Sequence, residues 1–114
     1  MRYTTEQIRQ LAKTKPQELI KLLSGSANDI SLLTDIVEIL SEEVSDEVIM
    51  LPVFRRMLKH VHVLVRESTI LGISNFYIDR TPPPDIVNRL ETISKSDPST
   101  DLKEFASDIL KSFK

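Results

Sequence analysis

His60 and His62 are the only histidines of the 114-residue chain, and they stand two residues apart in "KHVHVLVRESTILGISNFY". Two imidazoles bind one metal when both rings reach the same point. On a helix, positions i and i+2 lie about 200° apart, whereas i and i+4 share a face. The chain has no His-x-x-x-His, no Glu-x-x-His and no cysteine to complete a ligand shell. The pair is therefore expected to be a turn with one exposed and one partly packed histidine, with no metal or other cofactor. Catalysis has equally little to stand on. A cysteine-free chain has no thiol nucleophile, and no serine or threonine stands in a recognisable nucleophile context. The carboxylates fall on helix faces that read as exposed, where nothing shifts their ionisation. Two glycines exclude a Gly-rich phosphate loop, and the absence of tryptophan argues against a base-stacking platform. The expectation is a protein that is not an enzyme and has no small-molecule substrate.

Charge is the more informative chemistry. Residues 22–53 carry seven acidic side chains and no basic one: Asp29, Asp35, Glu38, Glu42, Glu43, Asp46 and Glu47. Residues 54–66 carry four basic ones and no acidic one: Arg55, Arg56, Lys59 and Arg66. The formal net charge of −2 hides this segregation. One reading is a solvated face whose acids meet the neighbouring basic stretch, in surface pairs worth about 0–1 kcal/mol each. The other is a negative field that steers a basic partner. On that reading Asp35, Glu38, Glu42, Glu43, Asp46 and Glu47 form a partner surface. Arg55, Arg56 and Lys59, with His60, could hold phosphate. The sequence pI of about 5.7 and the scarcity of aromatics on polar faces argue against nucleic acid as the partner.

The elements that must position these residues are helical almost throughout. Thr4-x-x-Gln7 has the form of a capping box ahead of Ile8, Leu11 and Ala12. Pro16 suits the first turn of a second helix and Gly25 its end. Ile30, Leu33, Ile36, Val37, Leu40 and Val44 recur at three- and four-residue steps as one long amphipathic helix. Ser45 is the expected cap of the next, in which Pro52 predicts a kink or a late start. From Val61 to Ile78 apolar residues occupy almost every face, which predicts a helix buried all round. Gly72 inside it is expected to let a neighbouring helix approach closely. "DRTPPPD", with Asp79, Arg80 and Asp85, reads as a linker between helix pairs, because three prolines cannot continue a helix but can start one. Leu102, Phe105, Ala106, Ile109, Leu110 and Phe113 give the cleanest amphipathic pattern of all.

The helices fall into pairs whose first members open near Pro16, Asp46 and Pro83, a spacing found in helical solenoids. "LVRESTILGIS", from Leu64, lies over "DLKEFASDILK", from Asp101, with Arg66 on Lys103 and Thr69 on Ala106. This apolar–basic–x–x–small–x–x–x–apolar helix, entered from a short turn, resembles the second helix of a HEAT or armadillo-type repeat. The resemblance covers residues 46–114; the first unit lacks the basic residue, and His60 stands where the turn often carries an aspartate. It implies an all-α fold: a short right-handed α-solenoid of about three antiparallel helix pairs, one domain over residues 1–114. It also implies that Arg66 or Lys103 ties adjacent turns together, with Asp97 as acceptor. Such stacks bind macromolecules along one broad surface. The expected function is a non-catalytic protein-binding module. Its sharpest form is an immunity-type protein that neutralises a basic, nuclease-type bacterial toxin. The rivals are an adaptor or accessory subunit and a HEAT-like nucleic-acid binder that uses residues 55–66. No apolar run approaches the roughly 20 residues that span a bilayer and no signal-peptide core opens the chain, so a soluble cytoplasmic protein without membrane contact is expected.

Overall fold

The described residues form seven helices, five of which start from a side chain that accepts a first-turn backbone N–H. The computed structural model describes residues 3–25 and 29–113, and among them there is no strand. The helices are α1 (Thr5–Thr14), α2 (Pro16–Gly25), α3 (Ile30–Glu43), α4 (Glu47–Met57), α5 (Val63–Phe76), α6 (Pro84–Ser96) and α7 (Thr100–Ser112). The fold is all-α. Thr4 and Gln7 close a reciprocal capping box, with the Gln7 N–H donating to Thr4 Oγ1 at 3.1 Å and the Thr4 N–H to Gln7 Oε1 at 2.9 Å. Asp29 and Ser99 accept from the backbone N–H groups of Leu32 and Leu102. α6 opens on Pro84, whose missing N–H would have had no partner in the first turn.

Two boundary expectations are corrected. Asp46, not Ser45, caps α4: its extended backbone aims Oδ1 at the Val48 N–H, 3.0 Å away. A carboxylate there also meets the positive end of the helix dipole. Pro52 does not delay the start of α4, since the helix runs from Glu47 to Met57 with the proline inside it. The carbonyl that Pro52 leaves without a donor belongs to Val48, which is 81% exposed, so water can serve it.

The helices meet in a consistent register. α3 packs most extensively against α5, α1 lies against α3, and α7 lies against both α5 and α6. Glu38 meets Ser68 and Ser41 meets Gly72, so α3 and α5 run parallel. α4 lies between α2 and α6, joined to one by Arg56–Ser24 and to the other by Arg55–Asp85. The core between these helices holds Ile36, Leu40, Phe54, Ile70, Ile73 and Leu90, each with no exposed surface. Phe54, Phe76 and Tyr77 close it on one side, Phe54 and Phe76 edge-to-face at 5.4 Å. A Cβ at Gly72 would collide with Ser41 Oγ and lie 3.0 Å from Ser41 Cβ, so glycine sets how closely α5 approaches α3.

α5 corrects a third expectation, because it is not buried all round. Val65, Ser68, Thr69, Gly72, Ile73 and Phe76 face inward, while Leu64, Glu67, Leu71 and Asn75 form an exposed row. Its neighbours α3, α4 and α7 cover three sides, and the fourth is left to solvent.

Candidate functional site

The turn before α5 is organised by backbone donors meeting imidazole acceptors. The Leu64 N–H donates to His62 Nδ1 at 3.1 Å, which makes His62 the N-cap of α5. The His62 N–H donates in turn to His60 Nδ1 at 3.0 Å. Each Nδ1 is therefore placed as an acceptor, which leaves Nε2 as the donor nitrogen of each ring. Both histidines are half-buried. Burial first, then the charges of His62, Arg66 and Arg56, holds the His60 ionisation below the ordinary histidine value. Among the described residues there is no group of three or more His, Cys, Asp or Glu placed to hold a metal ion.

Arg66 joins this turn to the next. Its Nη1 donates to the carbonyls of His60 and Val61, both at 2.9 Å, and its Nη2 to Asp97 Oδ2 at 3.1 Å. Nε lies 2.9 Å from Asp97 Oδ1 but off the line of its own N–H, so that contact is ionic and not a hydrogen bond. The two side chains are only 12% and 5% exposed. Asp97 Oδ2 also accepts from the Ser99 N–H, which fixes the start of α7. Lys103, at the matching position of α7, is half-buried and has no ion pair among the described residues.

The acidic stretch is largely engaged inside the molecule. Glu42 and Glu43 both receive Arg9 of α1. Glu38 accepts from the Ser68 hydroxyl and Glu47 from the Tyr77 phenol, both at 2.7 Å. Burial and then the Glu47 carboxylate push the Tyr77 ionisation well above the usual phenol range. Asp46 and Asp29 cap helices. Asp35 alone of the stretch is exposed without a side-chain bond among the described residues. Of the basic segment, Arg55 pairs with Asp85 at 2.7 Å, Arg56 donates to Ser24, and Lys59 is exposed without an ion partner among the described residues. Arg55 holds the Asp85 carboxyl below its ordinary range.

Sequence reasoning missed the row on α5. Leu64 is 49% and Leu71 40% exposed, and Val61 and Ile78 extend the row beyond the helix ends at 91% and 79%. The signal was present. Leu64, Leu71 and Ile78 keep a strict seven-residue step, and the polar Glu67 and Asn75 mark the same line. Glu38 of α3, bonded to Ser68, borders the row, with Asp35 and Glu42 on the same stripe of α3. No family model matches the chain, and no curated protein or solved structure matches it either.

Proposed function

We propose that the chain is a non-catalytic protein-binding module, built as a short right-handed HEAT-like solenoid in which α2–α3, α4–α5 and α6–α7 are the three antiparallel pairs. Support for the stack comes from its polar cross-links. Arg9–Glu42, Ser24–Arg56, Glu38–Ser68, Glu47–Tyr77, Arg55–Asp85 and Arg66–Asp97 each join residues 30–33 positions apart. One repeat length between partners is what stacked, similar units produce. In this reading the buried Arg66–Asp97 pair is the inter-turn tie of such repeats.

The observation that carries the binding role is the exposed Leu64–Leu71 row on the central helix, bordered by Asp35, Glu38, Glu42 and Glu67. Apolar side chains left in water inside a carboxylate field suit a partner that presents an apolar anchor among basic residues. A basic toxin domain neutralised by an immunity-type protein is the sharpest form of this reading, and a basic subunit of a larger complex is its broader form. The bonds to Arg9, Ser68 and Tyr77 leave fewer free carboxylates than the sequence offers, so the leucines are the anchor and the acids steer. A photo-crosslinker at position 71, used in host lysate, tests this. A saturable adduct with one basic protein is expected, competed by unlabelled chain and not by Leu64→Lys/Leu71→Lys. Competition by that variant equal to the unsubstituted chain would refute it.

A further inference from the structure

A second feature lies between α4 and α6, away from the leucine row. Two adjoining open grooves of about 490 and 460 Å³ follow the seam between these helices and continue over the turns that precede α5 and α7, and both are lined by Leu58, Lys59, Arg89 and Thr92. Their volumes fall in the range of small-molecule sites. The seam has a simple register. Arg55 meets Asp85, and four residues further on in each segment Lys59, in the turn just past α4, and Arg89, on α6, line the same grooves. The first couple neutralises itself. The second brings two cations to one groove, and neither has an ion partner among the described residues.

Two like charges facing one seam do nothing for the fold, and an opposite charge in the register would stabilise it. The only carboxylates on these walls are already engaged: Asp85 with Arg55, and Asp97 with Arg66. The Thr92 hydroxyl already donates to the Asn88 carbonyl, and the remaining polar lining consists of groups that can donate: the Asn88 amide in one groove, and Ser96 and the His60 ring in the other. Because His60 Nδ1 accepts from the His62 N–H, its Nε2–H is a free donor.

We propose that this seam binds a small phosphorylated molecule, with Lys59 and Arg89 holding its phosphate oxygens and the Asn88 amide orienting them. Guanidinium, ammonium and amide donors lining one groove match the several acceptor oxygens of a phosphate. The sequence expectation of no small-molecule substrate rested on the broad surface of stacked helix pairs. Arg89 enters only because α6 lies beside α4, and the site is independent of the leucine row.

The test is a titration with inorganic pyrophosphate followed by two-dimensional amide NMR at constant ionic strength. The result expected is saturable shifts at Lys59, Asn88, Arg89 and Thr92, with a rise in the His60 titration midpoint as bound anion offsets the local positive field. Lys59→Glu/Arg89→Glu should weaken binding more than about 10-fold, since a hydrogen bond to a charged group contributes about 1.5–3 kcal/mol. Leu64→Lys/Leu71→Lys should leave it unchanged. If the double charge reversal does not fold, Arg89→Gln carries the same comparison. Shifts that stay linear, that equal sodium chloride reproduces, or that persist in the charge-reversed variant overturn the proposal. So does a response to duplex DNA with none to pyrophosphate, which would make the seam a nucleic-acid contact.

Discussion

Arg66–Asp97 and Arg55–Asp85 are the same pair of residue types at nearly the same separation, 31 and 30 residues. They differ in where the register puts them. Arg55 and Asp85 are 47% and 54% exposed, so water screens them and each can be solvated alone. Arg66 and Asp97 are nearly enclosed, and Arg66 also receives two backbone carbonyls that have turned away from any helix. An exposed pair adjusts charge at the surface. An enclosed one decides whether two turns can lie against each other, because either partner left alone is a buried charge without a counter-ion.

The largest effect should follow from Arg66→Ala, which strands Asp97 and the His60 and Val61 carbonyls together. We expect a loss of about 3–5 kcal/mol in urea unfolding. A loss no larger than that of Arg55→Ala would abolish the contrast between the two pairs. Next comes Gly72→Val, which places side-chain atoms against Ser41 and should cost about 1–3 kcal/mol. Ser41→Gly in the same chain should recover part of that loss, and a double-mutant cycle measures the coupling.

A smaller effect is expected from pH. The folded state holds His60 below its ordinary value of 6.5, so the unfolded chain binds more protons between the two values. Stability is then fully present above pH 6.5 and declines as pH falls through the lowered folded value. Protonation at Nδ1 would also break the bond from the His62 N–H. His60→Asn keeps an acceptor near that position and removes the titration. Denaturation midpoints compared at pH 7.5 and 5.5 should show a smaller acid loss in the variant than in the unsubstituted chain. The smallest effect belongs to Arg55→Ala, for which no resolvable change in the urea midpoint is expected.

Much of the fold was legible because local rules dictate it. The Thr4–Gln7 capping box, the start near Pro84 and the six-point stripe of α7 depend on neighbours within one or two turns. The misjudged features depend on distant segments. α5 reads as apolar on almost every face, and its neighbours α3, α4 and α7 leave wet the line that the seven-residue step of Leu64, Leu71 and Ile78 marks. The acidic stretch reads either as a solvated face whose acids meet the neighbouring basic residues or as a partner surface, and sequence alone does not say which side chains meet it. Arg9, Ser68 and Tyr77 come from segments 30 or more residues away, and they give Glu42, Glu38 and Glu47 partners within the molecule.

The sequence by itself determined that this chain is helical, where most helices begin, and which residue types could carry charge, because capping and periodicity act over a few residues. Tertiary structure alone decided that the leucines of α5 remain exposed, that Asp97 is enclosed while Asp85 is not, and that Arg89 lines the same grooves as Lys59. Each of those follows from the lateral register of one helix against another. Register is fixed by close approaches such as Gly72 on Ser41, which no single stretch of the chain contains.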